Sequence, residues 1–588
     1  MNIKHFFGLA VIAAMTASCS SNEDLGTAGS GTGTNEAGVS YASITINLPT
    51  ANGTRATTNE QFDGGTASEY AVNDATLLIF EKGTETSENN FKFVEAVPLG
   101  NLEPWKKDDT ANNGITTEAT ITAELDSAKV DEDGGKYYAL VILNNETAKG
   151  TKITLPKAST ESPVTYGKWN VAVNTTNITD CEKGFYMANA PEFKADDQEP
   201  TTLVPIKGIY RTKEEAHSKP GTTVHVERGL AKVTVGKGTG DDYFTGANAS
   251  GSNYSSDKVQ ITKWALDVTN KKSFPVHVTS GLKAGTTIGE GQTVEGYTDI
   301  WKNEAATTTK RFVSQLPAKD AFKRVYWGID PNYSMGLTEL DKCKEQFTLV
   351  KADGTDATWK SSTEPLYCLE NTFDINNMKQ GQTTRVLLKA TYTPSAVVKE
   401  KDKTFFMIGN SSDIWTVTTL ADQIKSKAEE VLGITPVTVT LNDGIKAAGT
   451  HVLDATNVTI KSGEDDKTAD VVDEINTKLG FDKDKGIGIK TYKNGESYYI
   501  ARIKHFGDDL TPWVPGNDNY GGNNQNWLGR YGVLRNNWYD LTIEKISGPG
   551  YPDVPEVKPV SPDDEDTKYI NVSVKILDWA KRSQSVDL

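Results

Sequence analysis

Cysteine is scarce: Cys19, Cys181, Cys343 and Cys368 are the only four in 588 residues. They are widely spaced with no CxxC pair, so neither a disulfide scaffold nor a zinc site is indicated, although a Cys343 to Cys368 bridge stays open. The six histidines, His5, His217, His225, His277, His451 and His505, are scattered. No HExxH, GxSxG or Walker A pattern occurs. Gly236, Gly238 and Gly240 lack GxGxxG spacing, and Gly134 follows Asp131 and Asp133 too early for a calcium loop. The chain therefore reads as no enzyme, with no metal and no cofactor. Positive charge is also short: 62 Lys+Arg against 79 Asp+Glu gives −17, which excludes a phosphate-binding stripe and leaves no nucleic acid among the expected partners. Long apolar runs are missing too, so the chain is not a polytopic membrane protein. What is abundant is glycine, threonine, asparagine and aromatic residues, a mixture that favours short strands joined by turns and hence a mainly β fold.

The amino terminus carries an export signal. Lys4 precedes the apolar run Phe6 to Met15, which is too short to span a bilayer, and Thr16-Ala17-Ser18-Cys19 follows. That tetrapeptide resembles the lipobox of bacterial lipoproteins, with Thr16 where Leu is usual. It makes residues 1–18 the signal peptide and Cys19 the lipidated residue. A polar tether then runs to Gly38.

Ala42 to Leu48 alternates without error, placing Ala42, Ile44, Ile46 and Leu48 on one face and Ser43, Thr45 and Asn47 on the other. Pro49 and the Asn52-Gly53 turn end this strand. Arg55, the only arginine before Arg211, follows among small polar residues open to a protease. Residues 19–55 thus form a propeptide with a removable strand, cleaved between Arg55 and Ala56. Further strands are expected at Thr76–Phe80, Tyr137–Leu143, Thr202–Ile206 and Thr223–Val235, with a first domain over 56–220. A second domain, over 221–546, is expected to hold strands at Val259–Val268, Phe274–Val278, Arg311–Leu316, Arg324–Ile329, Thr384–Tyr392, Tyr498–Ile503 and Tyr539–Ile546. Leu420, Ile424, Ala428 and Val431 share a helical face ending at Gly433, and Val471, Ile475 and Leu479 another ending at Gly480. They mark a helical insertion at about 411–482.

Residues 547–568 hold five prolines and end in an acidic run, which reads as an extended spacer that does not pack. It leads to a final strand within 569–588, where Ile570, Val572, Val574 and Ile576 repeat the alternation of Ala42 to Leu48. Removing the first strand would open a core and leave edge amides unpaired, and a second strand of the same pattern could fill the vacancy. Its four branched side chains are worth roughly 1.5–3 kcal/mol each before entropic costs. Supplied by a neighbour, this donor strand gives a head-to-tail contact that propagates into a filament.

Several blocks resemble one family. The lipobox, the strand before Thr54-Arg55-Ala56, Tyr138 to Asn144, Phe185 to Asn189, Val226 to Val233, Arg535 to Tyr539 and the ending Val586-Asp587-Leu588 are similar to Bacteroidetes fimbrillins, most of all the structural subunit of the short (minor) fimbriae. The resemblance implies two transthyretin-like β-sandwich domains, a lipoprotein precursor anchored to the cell outer membrane, and an Arg-specific protease that cleaves it. It also implies strand-exchange self-polymerisation, anchor and accessory subunits as partners, and a fimbrium on the cell surface that contacts host or bacterial receptors. A rival reading is a surface glycan-binding lipoprotein, or an accessory or tip adhesin, using exposed rings such as Trp513, Trp527 and Trp538.

Overall fold

The computed structural model describes residues 38–47, 66–100, 118–159, 162–171, 173–174, 177–193, 200–236, 254–279, 287–288, 292–293, 312, 324–361, 364–483, 485–511, 527–563, 570–577 and 582–583. Strand dominates helix. The first sheet system comprises β1 (Ser40–Asn47), β2 (Ala75–Glu81), β3 (Lys92–Pro98), β4 (Glu118–Leu125), β5 (Tyr137–Leu143), β6 (Met187–Asn189), β7 (Val204–Pro205) and β8 (Thr222–Arg228). Their order is β3-β2-β5-β6-β8-β1-β4, with β7 on β5. The cores of β2 and β5 are unbroken apolar runs, as suits strands covered on both faces. Leu77, Leu78, Ile79, Leu140, Val141 and Ile142 are all fully buried. A short helix, α1 (Lys213–Ser218), precedes β8; Thr212 and Glu215 close its amino-terminal end as a reciprocal capping box.

The second system is a sandwich. One sheet has the order β11-β9-β14-β15-β16, built from β9 (Ala231–Gly236), β11 (Leu366–Cys368), β14 (Trp538–Ile546), β15 (Ile570–Leu577) and β16 (Arg582–Ser583). Facing it is β10-β12-β13, from β10 (Lys258–Asp267), β12 (Arg385–Thr393) and β13 (Glu496–Arg502). Val233, Val235, Ile261, Trp264, Leu388, Tyr499, Tyr539 and Leu541 share the core between them.

The stretch 223–235, expected as one strand, is two. β8 belongs to the first sheet system and β9 to the second, with Gly229 and Leu230 between them. A side chain at Gly229 would meet the Tyr186 ring at 2.8 Å, so the crossing needs glycine. The first sheet system therefore continues past residue 220 to Arg228. Two other expected strands are irregular: Phe274–Val278 and Arg324–Ile329 meet in the single bridge Val278 to Ile329. The expected strand at Arg311–Leu316 lies outside the described residues except for Phe312.

The helical insertion forms as its periodicity requires. α2 (Val417–Leu432) buries Leu420, Ile424 and Ala428 and ends at Gly433 with φ +62°, while α3 (Thr468–Lys478) buries Val471, Val472 and Ile475 ahead of Gly480. Both faces pack against Val439, Leu441, Val458 and Ile460 on the insertion's own small sheet.

The proline-rich segment corrects an expectation. From Ser547 to Asp563 it is not a free spacer but a strap seated on the second sandwich. Tyr498 and Tyr551 exchange backbone hydrogen bonds, and Val554 and Val557 are buried. Arg385 Nη2 donates to Pro555 O at 2.7 Å, and Asp563, fully buried, lies 3.5 Å from Arg502 Nε. The prolines preclude a ladder but not packing; the charges and tyrosines of β12 and β13 supply the hydrogen bonds that the strap cannot make with itself. Of the two states open to Cys343 and Cys368, bridged or free, the structure has both thiols free and buried.

Candidate functional site

β1 is an interior strand. It pairs antiparallel with β4, from Ser40 opposite Leu125 to Asn47 opposite Glu118, and parallel with β8, from Ile44 with Thr222 to Asn47 with His225. Ala42, Ile44 and Ile46 are fully buried in the first core, as their alternation requires. Leu48 lies outside the described residues. The opposite face is covered too, which the alternation does not show: Ser43 and Thr45 are buried. Ser40, on the face of Ala42, donates from Oγ to Ala128 O at 2.7 Å, and on the opposite face Thr45 Oγ1 shares a hydrogen bond with Thr120 Oγ1 at 2.9 Å. Gly221 sits so close that a Cβ there would meet Thr45 Oγ1 at 2.6 Å, which fixes small side chains on this face. α1 packs against β1, and Tyr41 and Tyr210 exchange backbone hydrogen bonds of 2.8 Å at the strand's start. His225, at the strand's other end, is held near a pKa of about 4 because burial disfavours its charged form.

The carboxy-terminal strand β15 lies elsewhere. It runs antiparallel to β14, from Ile570 opposite Ile546 to Leu577 opposite Trp538, with a bulge between Ile543 and Lys545. Ile570, Val572, Val574 and Ile576 thus sit in register on the protein's own second sandwich. Among the described residues its outer edge pairs only with β16, at Lys575 and Ile576. Cys19, Arg55 and Ala56 lie outside the described residues.

Two sequence blocks, Val226 to Val233 and Arg535 to Tyr539, meet at the junction of the sheet systems. Arg228 N donates to Asn536 Oδ1 at 3.2 Å, Asn536 N to Leu230 O at 2.7 Å, and Lys232 N to Asn537 O at 2.9 Å. Asn536 adopts φ +58°, the left-handed conformation that asparagine tolerates. Buried Arg535 pairs with Glu370, and Lys232 Nζ lies 2.8 Å from Glu69 and 3.9 Å from the Trp538 ring centroid. Burial raises the Glu69 carboxyl, but hydrogen bonds from Lys232 and Tyr367 and the lysine's charge outweigh it and hold the group below the usual carboxylate range. Nothing short of the fold could pair residues some three hundred positions apart, so this cluster was not legible as a site.

Two of the three tryptophans of the glycan-binding reading are described, and both are engaged within the fold. Trp527 is buried in a third core, Trp538 is occupied by Lys232 and donates to Thr234 Oγ1 at 2.7 Å, and Trp513 lies outside the described residues. A cavity of about 230 Å³ on the insertion is lined by His451, Asp454, Asn457 and Lys483 but by no Phe, Tyr or Trp ring. Among the described residues no group of three or more His, Cys, Asp or Glu side chains could hold a metal ion, and no helix is long and apolar enough to cross a membrane.

The stretch from the strand Ile489–Tyr492 through β13, β14 and the strap to β15 carries a family likeness: residues 490–585 match the family described as major fimbrial subunit protein type IV, fimbrillin, C-terminal. The match lies in the carboxy-terminal part of the chain, which is similar to the fimbrillin family there. Solved structures similar to it include a candidate cell adhesion protein of Parabacteroides distasonis, 10% identical over 92% of this chain and 98% of that one, TM-score 0.34. Others are a fimbrilin of Porphyromonas gingivalis, 10% identical over 92% and 99%, TM-score 0.30, and the tip fimbrial protein Mfa3 of the same species, 10% identical over 92% and 100%, TM-score 0.27. No curated protein matches the chain.

Proposed function

We propose that the chain is a structural subunit of a surface fimbria, exported as a lipoprotein acylated at Cys19, cleaved between Arg55 and Ala56 by an Arg-specific protease, and polymerised head to tail by strand exchange. The observation that carries the reading is the enclosure of β1: it is hydrogen-bonded along both edges and covered on both faces, yet only the Asn47 end connects it to the chain beyond Arg55. Cleavage frees it from the body, and its departure leaves the edges of β4 and β8 and the core beneath Ile44 and Ile46 open. Residues 569–588 of a neighbour then supply Ile570, Val572, Val574 and Ile576 to the positions of Ala42, Ile44, Ile46 and Leu48. In that register Ser573 takes the place of Thr45 beside Gly221. The parts on either side of Gly229 are proposed as the two domains of the subunit, joined rigidly by the Arg228, Lys232 and Asn536 cluster.

The precursor would be held at the outer membrane by its acyl chains and the processed subunit incorporated into a surface fimbrium, alongside anchor and accessory subunits and in reach of host or bacterial receptors. Limited trypsin treatment of the purified precursor, followed by electron microscopy and amino-terminal sequencing, tests this. Fibres whose subunits begin at Ala56 support it; fibres that begin near Ser20 contradict it.

A further inference from the structure

We infer that the strap from Ser547 to Asp563 stays seated on its own subunit during assembly, so that the exchanged strand reaches its neighbour only through residues 564–569. The second copy's groove must then dock against the surface where the strap ends, around Lys379 to Thr383 and Asp563. This rests on the strand-exchange reading and sets its geometry.

The strap is held along its whole length. At its start Tyr499 Oη donates to Gly548 O at 2.9 Å and Tyr492 Oη to Gly550 O at 2.7 Å. Gly550 sits where a Cβ would meet Tyr498 O at 2.1 Å. In the middle Arg385, itself paired with buried Asp267 at 2.7 Å, donates to Pro555 O. Toward the end Gln380 N donates to Ser561 O at 3.0 Å, and Gly381 lets the backbone of Pro559 approach to 2.8 Å of its Cβ direction. The last described residue is the anchor: Asp563 accepts from Thr383 Oγ1, its carbonyl accepts from Arg502 Nε at 3.1 Å, and its side chain is fully buried. Lifting the strap would strand the Arg385 and Arg502 charges in the sandwich without these oxygens.

Reach separates the two geometries. From Asp563 to Ile570 an extended chain spans at most about 25 Å, whereas a strap released from Ser547 would span about 75 Å. A seated strap therefore demands subunits that abut, with the acceptor groove beginning within that shorter distance of Asp563.

The protein's own thiol provides the test. Cys343 Sγ lies 2.9 Å and Pro559 Cβ 3.2 Å from the same point, the Cβ position of Gly381. In Pro559→Cys, oxidation should therefore staple the strap to Cys343, with the disulfide mapped by mass spectrometry to exclude Cys181 and Cys368. The stapled subunit is expected to assemble within about twofold of its reduced form, whereas a loss of about tenfold that reductant restores would overturn the inference. Amide hydrogen exchange on the unmodified protein decides it independently of the variant. Protection at Tyr551, Val554 and Ser561 should be the same in monomer and fibre, and its loss in the fibre would show that the strap peels away. A chain lacking residues 569–588 is run beside them. If that chain still forms fibres, strand exchange itself has failed and this inference with it, a result distinct from failure of the stapled protein alone.

Discussion

β1 and β15 share one alternating pattern but live in different enclosures. β1 has a ladder on each side and side chains covered on both faces, whereas β15 has one full-length partner, β14, and two residues of β16 on its outer edge. Under the proposed strand exchange, that difference sets which site is vacated and which strand is donated. Losing β1 opens two edges in the middle of a sheet and the core beneath Ala42, Ile44 and Ile46.

That contrast can be broken in order of expected effect. Arg55→Ala should abolish fibre formation while leaving the precursor's melting temperature unchanged, because β1 then stays in place; microscopy and calorimetry check both halves. Val572→Asp with Val574→Asp places two carboxylates in an apolar groove and should also prevent assembly, as read by sedimentation of the processed subunit. Ser573→Asp should impair it as well, since the matching face of β1 is covered at Ser43, Thr45 and Gly221. Replacing Asp563 by Ala should destabilise the monomer by about 3–5 kcal/mol in denaturant titration, where a free spacer would show no change. Ile44→Ala should cost the precursor about 2–5 kcal/mol and the processed subunit nothing, because only the precursor contains the strand. The smallest effect is on pH. His225 titrates near 4 when folded and near 6.5 when unfolded, so its contribution is complete above 6.5 and is lost as pH falls from there toward 4. His225→Gln should flatten the precursor's denaturant midpoint over that window.

Much of this was readable from local pattern. The alternation of Ala42 to Leu48, the continuous apolar run of Tyr137 to Leu143 and the helical faces closing at Gly433 and Gly480 each depend on a period of two or 3.6, which a sequence displays directly. Three features do not. The break at Gly229 depends on a distant ring, Tyr186, pressing on the backbone. The strap was misread because proline content reports that a segment cannot build its own ladder, not that a neighbouring sheet with Arg385, Arg502 and three tyrosines will hold it. The junction of Lys232, Asn536 and Trp538 needs a parallel pairing of β9 with β14 that no local signal specifies. Of the candidate groove, then, the apolar face was legible in the strand itself, and the covered polar face only in the structure.

The central claim is most directly met by a fibre structure at side-chain resolution, read at the position between Glu118–Leu125 and Thr222–Arg228. Each subunit is expected to start at Ala56 and this position to hold residues 570–577 of the adjacent subunit, with Val572 and Val574 pointing into the core. Residues 40–47 of the same chain still in that place, or 570–577 still paired with Trp538–Ile546 of their own chain, would contradict it.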